Sequence, residues 1–272
     1  MKTFKTTDNL NLFYNDWTIE NPKAVVALVH GLGEHIMRYD HWAKKFNSEG
    51  FAVVGADSRG HGKSEGNRGH IPDYEQFMTD VNSLIEEAKK LYPNKKIILY
   101  GHSLGGAQVL NYLVKRQPEL SAVVSTSPFI TLAEKPNPVV LFLGKITRSI
   151  VPGFTQENQV NPNYVSRDPK VVQDYINDPL VHGKLSSALG IDALNAGKFL
   201  NEYKGEIKTP TLLIHGSDDK LTNPEGTLSF YNNTTGNRTL KIFPNLAHET
   251  HNEPEKDMVF AYILGWLNGV IF

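Results

Sequence analysis

There is no cysteine among the 272 residues. That absence removes disulfides, thiolate nucleophiles and thiolate metal sites together, and it leaves the redox compartment open. Long apolar runs are missing too: nothing approaches the roughly 18 consecutive apolar residues of a membrane span. The first residues, Met1-Lys2-Thr3-Phe4-Lys5-Thr6-Thr7-Asp8, carry no apolar stretch that would read as a secretory signal, so a cytoplasmic protein is expected. Nor is there an excess of either charge, with 28 Lys and Arg against 29 Asp and Glu, a net charge of -1. This balance gives no electrostatic footprint for nucleic acid or anionic lipid and favours a neutral substrate. Repeats and low-complexity segments are absent.

What is present centres on Gly101-His102-Ser103-Leu104-Gly105-Gly106, directly after the apolar run Lys96-Ile97-Ile98-Leu99-Tyr100 and before Ala107-Gln108-Val109-Leu110-Asn111-Tyr112-Leu113-Val114, which reads as a helix. Strand, tight turn, helix is the setting of a nucleophile elbow: the serine stands at a strained turn, and glycines spare it collisions with strand and helix. The helix that begins beside Ser103 turns free N–H groups and a positive dipole end toward a developing oxyanion.

Short β-branched runs that do not alternate (Ala24 to Val29, Phe51 to Ala56, Ile97 to Tyr100, Ala122 to Ser125, Leu212 to Ile214 and Leu240 to Phe243) suit strands buried on both faces of a parallel sheet. Lys2 to Ile19 reads as an antiparallel hairpin at a sheet edge. Between the runs lie amphipathic helices: Tyr39 to Asn47, Tyr74 to Leu91 behind a capping box at Asp73 and Gln76, and a last helix from about Pro254 that buries Met258, Val259, Tyr262, Ile263, Trp266 and Leu267. The alternation predicts a doubly wound α/β layer structure, with residues 1–127 and 210–272 as its core. Residues 128–209 break the rhythm and are expected to form a cap inserted over the sheet's carboxyl edge, because so long a structureless loop is improbable in a compact domain.

A serine hydroxyl needs a base to take its proton, and the base needs an acid to fix its tautomer. Two loops after strands supply both. The strand ending at Ile214 runs into His215-Gly216-Ser217-Asp218-Asp219, which offers Asp219 as the acid, with Asp218 as its rival. The strand ending at Phe243 runs into Pro244-Asn245-Leu246-Ala247-His248-Glu249-Thr250-His251, which offers His248 as the base, with His251 as the alternative. The Gly-rich turn His30-Gly31-Leu32-Gly33 follows another strand, and backbone amides of Leu32 and Leu104 are expected to form the oxyanion hole. In the cap, Pro138-Val139-Val140-Leu141-Phe142-Leu143 with Ile146, Ile150 and Val151 is an apolar patch. Its Phe142 either lines an acyl tunnel, packs onto the core, or meets a membrane surface transiently.

The stretches His30-Gly31-Leu32-Gly33-Glu34-His35 with Arg38-Tyr39, Asp57-Ser58-Arg59-Gly60-His61-Gly62-Lys63-Ser64-Glu65-Gly66, Gly101 to Gly106, and His248-Glu249 with Asn252-Glu253 together resemble the monoacylglycerol lipase and lysophospholipase branch of the α/β-hydrolases. The resemblance implies an α/β-hydrolase fold, Ser103 as nucleophile, Asp219 as acid and His248 as base, a small-molecule acyl ester, first of all a monoacylglycerol, as substrate, and no metal or organic cofactor. It further implies that Glu34, Arg38 and His251 line the polar end of the pocket, and that Arg59, His61 and Ser64 hold a loop rather than do chemistry. Leu32 stands where the branch usually has a small residue, and its bulk narrows the alcohol side. Other readings on the same scaffold are lysophospholipid or general carboxylic ester hydrolysis, amide hydrolysis anchored by Glu34 or Glu134, and ligand binding without turnover. Dehalogenase and epoxide hydrolase chemistry need a carboxylate where Ser103 stands.

Overall fold

The computed structural model describes residues 1–272. An eight-stranded sheet runs in the order β1-β2-β4-β3-β5-β6-β9-β10: Thr3–Lys5, Asn11–Trp17, Phe51–Ala56, Ala24–Val29, Ile97–His102, Ala122–Thr126, Glu206–Gly216 and Thr235–Phe243. β2 alone runs antiparallel to its neighbours, as the edge hairpin requires, and every other pairing is parallel. Helices α1 (Asp40–Ser48), α2 (Tyr74–Leu91), α3 (Leu104–Arg116), α4 (Pro138–Ile150), α5 (Pro169–Asn177), α6 (Ser187–Glu202), α7 (Pro224–Asn233) and α8 (Lys256–Ile271) fill the connections, with a small ribbon of β7 (Thr155–Glu157) and β8 (Lys184–Ser186).

The non-alternating runs are buried on both faces because successive residues of a strand point to opposite sides. Val25 and Ala27 join the cluster that contains Phe77, Leu110 and Leu189, so α2, α3 and α6 cover that face. Ala24, Val26 and Leu28 join Trp42, Phe46, Val259 and Ile263, so α1 and α8 cover the other. Two helix ends differ from the reading of the sequence. Asp73 does cap α2 by accepting from the Gln76 N–H at 2.7 Å, but the Gln76 amide reaches Thr7 and Asp80 instead of returning to Asp73. In α8 the buried stripe is Val259, Phe260, Ile263, Leu267 and Ile271, which leaves Met258 half exposed and Tyr262 and Trp266 partly covered.

The segment expected as one insertion over 128–209 divides into two parts. α6 belongs to the layers: Ala188, Leu189 and Leu200 are fully buried, and Gly197 lies so close to the Ile130 carbonyl that a Cβ would sit 2.4 Å from it. β9 is already a sheet strand from Glu206. The residues before α6 instead touch loops at the carboxyl ends of strands: the His182 N–H donates to the Gly33 carbonyl, the Ser186 N–H to the Gly69 carbonyl, and the Glu249 N–H to the Val165 carbonyl. We therefore propose that the cap is the stretch from about 134 to 186, which leaves α6 to the core.

α4 meets α6 through Gly144 beside Ile191 and through a two-bond Arg148–Asp192 ion pair, and it buries no residue of its own. Val139, Phe142, Leu143, Ile146 and Ile150 follow one another at helical spacing and face outward, so packing of this patch onto the core does not occur. Chemical denaturation should separate the two halves of the segment. Leu189→Ala is expected to cost roughly 2–5 kcal/mol of global stability, whereas Phe142→Ala should stay within about 0.5 kcal/mol; comparable losses would place α6 outside the core.

Candidate active site

Ser103 closes β5 and opens α3 with φ 55° and ψ -118°, a backbone conformation that L residues rarely adopt. The surrounding glycines allow it. A Cβ on Gly101 would lie 2.4 Å from the Gly105 carbonyl oxygen, and one on Gly105 would lie 2.4 Å from the His30 oxygen. The turn is held by the Ser103 N–H donating to Thr126 and by the Phe129 N–H donating to the Ser103 carbonyl, both at 2.9 Å. Although Ser103 occupies the cap position of α3, its hydroxyl makes no capping bond to that helix. Oγ lies instead 2.9 Å from His248 Nε2. A serine at this position ordinarily stabilises its helix by about 1 kcal/mol through the cap, so the hydroxyl is directed elsewhere at some cost.

His248 Nδ1 lies 2.7 Å from Asp219 Oδ2. The same oxygen accepts from the Thr222 hydroxyl at 2.8 Å and from His215 Nε2 at 3.0 Å, while Oδ1 accepts from the Leu221 and Thr222 N–H groups. Burial would raise the Asp219 pKa, but His248 and these donors outweigh it and hold the carboxyl well below the usual range. His215 can donate from Nε2 because its Nδ1 faces the Thr227 hydroxyl at 2.7 Å. For His248 burial acts downward, yet the adjoining Asp219 carboxylate prevails and raises the imidazole above its ordinary value. Asp218, the rival acid, is exposed and accepts a hydrogen bond from Ser217.

The turn after β3 lies against the serine: a Cβ on Gly31 would sit 3.1 Å from Ser103 Cβ. The Gly31 N–H donates to Glu34 Oε1 at 2.7 Å, while the amides of Leu32 and Leu104 have no acceptor within the protein. Leu104 is the first residue of α3, where an amide has no partner inside the helix.

The residues expected at the polar end of the pocket are arranged differently. Arg38 Nη1 reaches Glu34 Oε2 at 2.5 Å and Glu249 Oε1 at 2.7 Å, and Nη2 reaches Glu249 Oε2 at 2.8 Å, so both expected charges are paired and largely buried. Burial raises the Glu34 pKa; for Glu249 burial also acts upward, but two N–H groups of Arg38 hold it low. His251 is fully enclosed, stacked on Tyr39 with centroids 4.6 Å apart and edge-on to His102 at 4.8 Å. Burial and then His102 keep it neutral, and neither ring nitrogen faces Ser103 or Asp219 as a base would. Phe142 lies out on α4, 62% exposed. The Asp57–Gly66 loop is tied to its surroundings: Asp57 accepts from the Ile36 and Lys63 amides, and Arg59 pairs with Asp80 and Asp8.

Sequence reasoning left three buried neighbours of the triad unassigned. The Ser127 hydroxyl donates to the His248 carbonyl at 2.7 Å, and His215 and Thr222 both hold Asp219. Only His215 had a signal, as a histidine at a strand end four residues before Asp219.

Against known proteins, residues 20–255 match the family described as Serine aminopeptidase, S33. A monoacylglycerol lipase of Mycolicibacterium smegmatis is 33% identical over 268 residues, covering 97% of this chain and 95% of that one. An abhydrolase domain-containing protein of Dictyostelium discoideum is 37% identical over 266 residues, 96% of this chain but 28% of that much longer protein. Among solved structures, the monoacylglycerol lipase of Paleococcus ferrophilus superposes with a TM-score of 0.87 at 34% identity, over 95% of this chain and 98% of its own.

The pKa of His248 sets a pH dependence. A base must be neutral, so kcat/KM on a soluble ester should fall as pH drops through a value above that of a free imidazole, about 6.5. Asp219→Asn removes the group that raises His248 and leaves the burial that lowers it, so the acid limb should move to lower pH while kcat falls by roughly 10⁴. Asp218→Asn should change neither, and a limb that moves only in the Asp218 variant would reassign the acid.

Proposed function

The chain belongs to the Serine aminopeptidase, S33 family and is an ester hydrolase, and from that premise we propose that it hydrolyses monoacylglycerols through an acyl-enzyme on Ser103. The observation that carries this reading is the unbroken chain Ser103 Oγ, His248, Asp219, at 2.9 and 2.7 Å. His248 Nε2 takes the hydroxyl proton as Oγ attacks the ester carbonyl. The Leu32 and Leu104 amides receive the negative charge on the carbonyl oxygen, and the field at the start of α3 favours it. As the tetrahedral species collapses, His248 returns the proton to the departing glycerol oxygen. A water then repeats both steps on the acyl-Ser103 ester and frees the fatty acid and the serine.

The arrangement of charge around the serine supports a neutral substrate. Arg38 is held between two carboxylates, so a lysophospholipid phosphate finds no free cation there. Glu34 is equally engaged by the Gly31 amide, Tyr39 and Arg38, which argues against its serving as an acidic anchor for the amine of a peptide. A lipid ester also suits the outward apolar face of α4, with Lys145 beside it, which we propose meets the surface of the lipid aggregate.

Initial rates on 1-monooleoylglycerol, lysophosphatidylcholine and a short nitrophenyl ester test the assignment, with Ser103→Ala, expected to lose roughly 10⁶ in kcat, as the blank. The monoacylglycerol should be preferred. Preference for lysophosphatidylcholine, or activity on the short ester alone, would discard that substrate and leave the hydrolase. In the same assay Val139→Asp with Phe142→Asp should slow turnover of aggregated monooleoylglycerol and spare the soluble ester; equal rates would free α4 from any role at the lipid surface.

A further inference from the structure

Two loops must hold a fixed distance for the proposed reaction: the turn that presents the Leu32 amide and the loop that presents His248. They are far apart in sequence, and the Arg38 guanidinium hydrogen-bonds to both. We propose that Arg38 is a positioning residue, a strut that keeps the oxyanion-binding turn in register with the catalytic base, and not a contact for the substrate's head group. This rests on the serine hydrolase reading above.

The turn is clamped from both sides. His30 Nε2 accepts from the Ser58 N–H at 2.9 Å, so its Nδ1 carries the proton that is donated to the Gly31 carbonyl at 2.7 Å. Gly31 C=O and Leu32 N–H belong to one planar peptide and point in opposite directions, so fixing the carbonyl fixes the amide. Glu34 Oε1 holds the preceding Gly31 N–H and accepts also from the Tyr39 hydroxyl at 2.8 Å. Glu34's other oxygen is bound by Arg38, whose remaining bonds run to both oxygens of Glu249, the residue bonded directly to His248. Three hydrogen bonds on one planar guanidinium therefore set the separation of the two loops.

The cluster is sealed. The side chains of Arg38, Glu34 and Glu249 are 9%, 3% and 3% exposed. Tyr175 of α5 lies over the guanidinium, with its ring centroid 4.7 Å from Cζ. Low dielectric strengthens the pairing, and a head group at the Nη groups of Arg38 would compete with the carboxylates already bound there. Because no polar atom of the alcohol is required, the strut serves any ester the serine attacks.

The test is kcat and KM on two esters, nitrophenyl butyrate, which has no glycerol, and monooleoylglycerol. Two variants are compared. Arg38→Lys keeps the charge but loses the fork. The triple change Glu34→Gln, Arg38→Met, Glu249→Gln removes the strut without leaving a buried charge unpaired, so that loss of fold is not the readout. In both variants kcat should fall on both esters alike, by roughly 10²-fold for the triple variant, with KM little changed. Affinity for an alkyl boronic acid, which forms a tetrahedral adduct on Ser103, should weaken by the same factor as kcat. A loss confined to KM for monooleoylglycerol would assign Arg38 to the head group and overturn the strut, as would a folded triple variant with wild-type kcat on both esters. Wild-type protein that turns over neither ester would overturn the functional reading, and the strut with it.

Discussion

A carboxylate sealed from water holds this site together. Asp219 has no exposed side-chain surface, and an isolated charge so placed would be expensive; five donors from three stretches of chain make it tenable. Those donors are also what fix the loop after β9, so the acid cannot shift without losing its solvation. His248 inherits that rigidity. Its Nδ1 is turned to Asp219, which leaves Nε2 facing Ser103, while Ser127 anchors its backbone through the carbonyl. The imidazole is thereby kept in one tautomer and one orientation, as the proposed role of base requires.

The serine side of the site is secured by sterics. A serine with φ 55° persists only where its neighbours over-determine it. Here Gly101 and Gly105 let strand and helix approach within distances that a Cβ would forbid, and Gly31 lets the neighbouring turn pack closely on the serine. The result sets the Ser103 hydroxyl 2.9 Å from His248 Nε2, with the first residue of α3 next in the chain and the turn after β3 packed against the serine. Strain and close packing on one side, and a solvated carboxylate on the other, thus converge on the Ser103–His248 contact.

What could be read from the chain follows from the range of each interaction. The strands Ala24–Val29 and Phe51–Ala56 were legible to the residue, because burial on both faces demands an unbroken apolar run and the hairpin at the edge has its own turn signal. That Ser103, Asp219 and His248 come within hydrogen-bond reach could be expected for a related reason: each stands just after a strand, where a parallel sheet gathers its loops. α6 was not, since its buried face is made mostly of alanine, glycine and leucine and resembles the loosely apolar stretch before it. Nor could the charges of Glu34 and Arg38 be read as paired. Their partner Glu249 lies 211 positions from Arg38, and a charged residue in a loop looks the same in sequence whether it faces a substrate or another charge. His251 raised the same ambiguity, which the fold resolves by stacking it on Tyr39 and setting it edge-on to His102.

Labelling with a fluorophosphonate followed by peptide mapping addresses the central claim most directly, because the reagent reports a serine that a base has made nucleophilic and an amide pair that holds its oxyanion. One phosphonyl group per chain should appear on the peptide that contains Gly101-His102-Ser103-Leu104-Gly105-Gly106, at Ser103, and none in a Ser103→Ala chain. A folded wild-type protein that stays unlabelled, or one labelled at another serine, would contradict the assignment of Ser103, His248 and Asp219 as the reacting group.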